Sequence, residues 1–149
     1  MRLAARSRRT LASVVAAQFL SSLADNALLI VAIDLLMQRH APGWMTPALR
    51  LFFYLSYVLL AAFAGAAADA APKGRVLMAT NLVKLCGCGL LLWHVQPLLA
   101  YTLVGLGAAA YSPAKYGILP ELLPQDALVG ANGWVEATTV LSILFGVAL

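Results

Sequence analysis

Apolar residues run along the chain in five long blocks: Leu11 to Met37, Ala48 to Ala68, Val76 to Val95, Leu98 to Tyr116 and Asn132 to Leu149. Each block comes close to the ~20 residues that cross ~30 Å of hydrocarbon at 1.5 Å per residue. The pattern predicts five spanning helices, because a water-soluble helical bundle would need polar faces that these blocks lack. The first block is broken near its middle by the pair Asp25-Asn26. A carboxylate at that depth costs roughly 2.5 to 3.5 kcal/mol on insertion scales, and such acids face the bundle interior. Asp25 is therefore the first candidate for function, with a structural carboxylate bonded to a neighbouring helix as the alternative.

Composition strengthens the membrane reading. Hydrophobic residues make up 62% and charged residues 11% of the 149 positions, where a soluble domain carries about 25% charged residues. The expected fold class is an all-α integral membrane bundle over residues 1–149. An odd number of helices and an apolar finish suggest the amino-terminal portion of something longer. Cys86 and Cys88 lie two apart in the third block. On a helix they point in nearly opposite directions, cannot pair with each other, and read as small packing residues. No cofactor or metal is expected.

The basic residues set the orientation. Arg2, Arg6, Arg8, Arg9, Lys73, Arg75 and Lys115 fall on one side if the helices alternate, and only Arg39 and Arg50 on the other. The amino terminus is expected in the cytoplasm, and the net charge of +4 reflects topology. Basic residues with no soluble fold to present them argue against a nucleic-acid partner. The start of the chain imitates a secretory signal up to Ser22-Leu23-Ala24. Gln18 interrupts the apolar stretch, however, and apolarity resumes to Met37, so an uncleaved span is expected.

Polar residues inside the blocks supply the remaining chemistry. On the first helix Gln18, Ser21, Ser22, Asp25 and Asn26 fall within an arc of roughly 140°, one polar stripe. Asp34 lies about half a turn away and reads as a solvated helix end. Lys84 stands deep in the third block, where it either snorkels toward the cytoplasmic face or pairs with a buried acid, Asp25 or Glu136. Glu136 is expected soon after a turn-like Gly130 to Gly133. Trp44, Trp93, Tyr101 and Trp134 read as interface anchors. In the fourth block Gly105 and Ala109 permit close helix approach. Pro113 bends or ends that helix, leaving Lys115 and Tyr116 at the cytoplasmic mouth. There Lys115 is either a positive-inside anchor or a point charge for a phosphate. Between the second and third blocks, Gly65, Asp69, Lys73, Gly74 and Arg75 read as a helix contact, an acceptor for free amides of the next helix, and a tight basic turn.

That turn resembles the signature loop of the major facilitator superfamily, which has a glycine, an aspartate four on, and then Gly-Arg-Lys or Gly-Arg-Arg; here the order is Lys73-Gly74-Arg75. A finer resemblance is to the bacterial lysophospholipid transporters of that superfamily. It rests on Gln18-Phe19-Leu20-Ser21, Asp25-Asn26-Ala27-Leu28-Leu29, Lys73-Gly74-Arg75-Val76, Tyr101 to Gly105, and Ala110-Tyr111-Ser112-Pro113-Ala114-Lys115-Tyr116-Gly117-Ile118-Leu119. Ala131-Asn132-Gly133 and Glu136-Ala137 continue it. The resemblance implies two six-helix bundles, this chain being most of the first and lacking its carboxy-terminal partner bundle, with substrate held between them. It further implies a multi-pass protein of the bacterial inner membrane, set among membrane lipid. Such a protein carries a lysophospholipid substrate, chiefly lysophosphatidylethanolamine, from the outer to the inner leaflet. A downstream acyltransferase/acyl carrier protein synthetase then reacylates it. Carried onto this sequence, Asp25 and Asn26 would meet the head group and Lys115, with Lys84, its phosphate; Tyr116 and Glu136 complete the candidate substrate-binding set, and Gly65, Asp69, Lys73, Gly74 and Arg75 form the conformational-switch loop.

Two other readings compete. A proton-coupled small-solute or drug exporter of the same superfamily often carries an arginine in the fourth span, and Tyr101 to Ala114 contains no basic residue. An integral-membrane lipid acyltransferase needs a nucleophile and a base, typically a histidine near an acid. His40 and His94 have no acid within four residues on either side, so no catalytic residue is assigned and an enzyme is not expected.

Overall fold

A computed structural model gives the backbone of residues 2–148, and their side chains apart from 2–9, 61, 62 and 64–70. Five helices follow one another: α1 (Arg2–Gln38), α2 (Met45–Ala70), α3 (Lys73–Leu92), α4 (Pro97–Leu122) and α5 (Gln125–Ala148). Each matches one apolar block, but the ends differ where polar residues still favour helix. Arginine and alanine are good helix formers, so α1 begins well before its apolar block.

The links show why the helices stop. After α1, the His40 amide donates to the Met37 carbonyl and the Ala41 amide to Leu36, both at 3.0 Å. After α3, the His94 amide donates to Leu91 at 3.0 Å and the Val95 amide to Leu90 at 2.9 Å. Both are Schellman endings, in which one left-handed residue turns the chain back onto its last carbonyls. The left-handed residues are His40 (φ 51°) and His94 (φ 53°), where glycine is the usual occupant. Between these two turns the Arg39 guanidinium donates to the His94 carbonyl.

Three expectations are corrected here. Lys73-Gly74-Arg75 is not a turn: Ala71 and Pro72 make the link, and Arg75 and Val76 donate to the Pro72 carbonyl at 2.8 and 3.2 Å. Proline fixes its own φ and opens the helix from its position, which draws the three residues into the first turn of α3. Pro113 does not end α4, which continues to Leu122; an internal proline is tolerated where neighbours surround the freed backbone, and Ala109, whose carbonyl it frees, is buried. Gly130 to Gly133 form no turn either. They lie within α5, which starts after Pro124 with Asp126 in its first turn, an acid placed favourably for the helix dipole.

Thr10–Gln38, Lys73–Leu92 and Gln125–Ala148 are long and apolar enough to cross a membrane, and Met45–Leu60 is a shorter apolar helix. α4 is diluted by Tyr101, Gly105, Gly107, Tyr111, Ser112 and Pro113, and its small residues are spent on contacts with other helices.

The chain divides into two compact units, Met1–Ala27 with Tyr116–Leu149, and Leu28–Lys115. In the second unit a core of Leu29, Ala32, Leu35, Leu36, Ala48, Leu49, Leu91, Leu98, Ala100, Tyr101 and Val104 joins residues of α1, α2, α3 and α4. α4 is gripped on two sides there. A Cβ on Gly105 would lie 3.0 Å from the Phe53 Cα of α2, and one on Gly107 would lie 2.8 Å from the Thr80 carbonyl of α3. From the α3 side, a Cβ on Gly87 would meet the Ala100 carbonyl at 2.9 Å. The small residues of the fourth block thus do what their spacing predicts. Tyr101 departs from its expected role as an interface anchor: it is buried and stacks on Phe53 at 5.2 Å between ring centroids. Trp44, Trp93 and Trp134 are exposed.

The first unit is centred on Leu119, Ala131 and Val135, against which Leu11, Val14, Val15, Leu123 and Leu128 pack. Further along α1, a Cβ on Gly146 would lie 2.7 Å from the Asn26 Cβ and 3.0 Å from the Leu23 carbonyl, so α1 and α5 touch almost backbone to backbone. Phe19 and Phe145 close that contact edge to face at 6.3 Å.

Candidate functional site

The predicted stripe on α1 is turned into protein. Gln18 is buried, Ser21, Ser22, Asp25 and Asn26 are half-buried, and Leu20 and Ala24 between them are exposed. Helical periodicity alone produces this division, with the polar arc on one side and the apolar arc on the other. Asp25 keeps its Oδ1 fully enclosed. Asn26 donates to the Ser22 carbonyl one turn earlier at 2.9 Å, and its Cβ packs at Gly146. Asp34, by contrast, is exposed and accepts from Gln38 Nε2 at 2.6 Å.

Gln18 Nε2 donates to Thr139 Oγ1 of α5 at 2.9 Å. Thr139 was not singled out in the sequence. The available signal was the spacing of Val135, Thr139, Ser142 and Gly146, which recur three or four apart and so share one helix face. In the same unit the Tyr116 hydroxyl donates to the Glu136 carboxylate, and both residues are exposed.

Lys84 and Lys115 belong to the other unit, and both are buried. Lys84 does not snorkel to an exposed position: it is 7% exposed, and its ammonium lies 5.5 Å from the centroid of the Tyr111 ring. Its stem runs past Gly107, where a Cβ would approach Lys84 Cγ to 2.6 Å. Gly107 and Tyr111 are one turn apart on α4, so the glycine makes room for the stem and the ring receives the charge. Tyr111 is thus a second residue whose part in the site went unassigned in the sequence. Lys115 lies one further turn along the same face of α4, and Tyr116 next to it is exposed. The helix continues to Leu122, so Lys115 sits two turns inside α4.

The predicted residues therefore divide. Asp25, Asn26, Tyr116 and Glu136 fall in one unit, and Lys84 and Lys115 in the other, together with Lys73, Gly74 and Arg75. Lys73 is half-buried, Gly74 and Arg75 are exposed, and the side chains at Gly65 and Asp69 lie outside the described residues. Cys86 and Cys88 are free thiols. Among the described residues no three His, Cys, Asp or Glu side chains are grouped as metal ligands.

Comparison with known proteins gives these groups a context. A protein named Lysophospholipid transporter LplT from Klebsiella pneumoniae subsp. pneumoniae is 51% identical over 134 residues, which cover 90% of this chain and 34% of that protein. A protein of the same name from Cronobacter sakazakii is 49% identical over 138 residues, 93% of this chain and 35% of the relative. One from Citrobacter koseri is 52% identical over 134 residues, 90% and 34% respectively. No family model matches the chain. No solved structure matches it. The chain spans about a third of the length of these curated relatives, and along nine-tenths of its own length it is homologous to proteins named lysophospholipid transporter.

Proposed function

We propose that this chain forms the amino-terminal part of a transporter for lysophospholipids of the ethanolamine type. The observation that carries the reading is identity near one half with proteins named as lysophospholipid transporters, over almost the whole chain. The chemistry of the helices supports it. A zwitterionic head group needs an acid and a base kept from bulk water, and a half-buried Asp25 and buried Lys84 and Lys115 are what this chain offers. The acyl tail needs no polar partner and stays in lipid, which favours lateral access for the substrate.

In this reading all five helices cross the bacterial inner membrane with the amino terminus in the cytoplasm. They pack against a second, carboxy-terminal bundle in the manner of the major facilitator superfamily and rock around the substrate. Lipid moves from the outer to the inner leaflet, where an acyltransferase/acyl carrier protein synthetase restores the second chain. Asp25 and Asn26 meet the ethanolamine end and Lys115 with Lys84 the phosphate. Tyr116 and Glu136 are the outlying members of the set, and Gly65, Asp69, Lys73, Gly74 and Arg75 form the switch between α2 and α3. The chain moves its substrate and leaves the covalent chemistry to the downstream enzyme.

The test is uptake of labelled lysophosphatidylethanolamine by spheroplasts with and without the full-length protein, measured with the proton gradient intact and collapsed. Protein-dependent uptake that survives collapse supports the proposal. Gradient-driven export of small solutes without lipid uptake would replace it with the exporter reading.

A further inference from the structure

The side chain of Gln18 is 5% exposed, and only half of its amide is used. Its Nε2 donates to Thr139 Oγ1 at 2.9 Å, and the proton of that hydroxyl goes to the Val135 carbonyl at 2.8 Å. Thr139 can therefore only accept from Gln18, which fixes the amide with its nitrogen toward α5 and its oxygen away from that contact. The oxygen, Gln18 Oε1, is buried and accepts no hydrogen bond among the described residues. A buried acceptor left so costs about 1 to 3 kcal/mol. A residue with one half clamped and the other half idle is built to receive a donor.

The position of Gln18 says which donor. It precedes Asp25 by seven residues, which on an α-helix is an offset of roughly 20° and a rise of about 10.5 Å. Both residues lie on one face of α1, within one compact unit. Resting on the proposed reading, Asp25 takes the ammonium of the head group, so Gln18 is reached by a group farther along the same substrate. A lysophospholipid differs from its diacyl parent by one free glycerol hydroxyl, separated from the ammonium by the phosphate bridge. In the diacyl lipid an ester takes that place, with acceptors only. We propose that Gln18 Oε1 accepts the free glycerol hydroxyl and is the residue that tells a monoacyl lipid from a diacyl one. Sites that hydrogen-bond a substrate hydroxyl reject the analogue lacking it far more strongly than apolar pockets reject a change of size, because the buried partner is left unpaired.

The experiment compares uptake of lysophosphatidylethanolamine with that of the analogue in which the glycerol hydroxyl is replaced by hydrogen, using the full-length protein in spheroplasts. The unaltered protein should carry the hydroxyl-bearing lipid about ten-fold faster or more at low concentration. Gln18→Met should bring the ratio of the two rates to about one, whatever loss of the Thr139 contact does to both rates together. Equal rates for the two lipids in the unaltered protein would overturn the proposal without any variant being made. Equal slowing of both by Gln18→Met would overturn it too, since that is the signature of a structural pin. Uptake of neither lipid by the unaltered protein would remove the transporter reading itself, and this inference with it.

Discussion

The ammonium of Lys84 on α3 lies over the ring of Tyr111 on α4, 5.5 Å from its centroid, with both residues buried. The geometry gives a buried cation an aromatic face to rest on, and Gly107 one turn away makes the approach possible. Cation–π pairs contribute about 0.5 to 2 kcal/mol as they become desolvated. A double-mutant cycle with Lys84→Met and Tyr111→Leu, read by thermal unfolding of the full-length protein in detergent, should return a coupling in that range. Tyr111→Phe, which keeps the ring, should preserve most of it; no coupling between the two sites would show that the ring is only a packing wall.

The glycines predict opposite outcomes according to their surroundings. Gly146→Ala drives a Cβ to 2.7 Å from the Asn26 Cβ, with the Leu23 carbonyl at 3.0 Å. It should destabilise by about 1 to 3 kcal/mol, the usual cost of overpacking. Gly130→Ala and Gly133→Ala meet nothing within 4 Å in the middle of a helix. Each should stabilise by about 0.5 to 1 kcal/mol, because alanine loses less backbone freedom on folding. Melting temperatures of the three variants decide it, and a stabilising Gly146→Ala would contradict the contact between α1 and α5.

His94 supplies a third test, because its φ of 53° is a conformation that side-chain-bearing residues rarely adopt. His94→Gly should raise the melting temperature slightly, by no more than about 1 kcal/mol in stability, since relief of the left-handed conformation exceeds the added freedom of the unfolded chain. His94→Val should lower it, as β-branched residues are the least tolerant there. The reverse order would mean that the imidazole itself stabilises the turn.

Transport should depend on Asp25 more than folding does. Asp25→Asn is expected to abolish lysophosphatidylethanolamine uptake while leaving the abundance of the full-length protein in the membrane unchanged. Normal uptake would remove the carboxylate from the head-group role. Lys115→Ala should weaken phosphate-bearing lipids more than an uncharged mimic, and equal loss for both would leave Lys115 a structural role.

Much of this molecule could be read from residue spacing, because lipid leaves the chain few choices. Uninterrupted apolar blocks must be helices, and the arc of Gln18, Ser21, Ser22, Asp25 and Asn26 had to face protein. The errors came at local punctuation. α4 runs on past Pro113 and α5 runs through Gly130 and Gly133, because the apolar sequence on both sides keeps the helix going and one or two poor helix formers cost too little to stop it. Tyr101 looked like an interface anchor because its place near a helix end is the same for an anchor and for a core residue; only Phe53 beneath it decides. The partners of the polar groups were the least legible. Gln18 with Thr139 and Lys84 with Tyr111 are pairings across helices, and no one-dimensional period records which faces meet.

The donor that links the turn after α1 to the turn after α3 is the Arg39 side chain, and its acceptor is the backbone carbonyl of His94. A main-chain oxygen is present whatever residue occupies position 94, so no replacement there deletes the acceptor. The tie is thus encoded at position 39 alone. In a saturation scan the histidine should tolerate exchange outside proline and the β-branched residues, while the arginine should stand out as the intolerant neighbour.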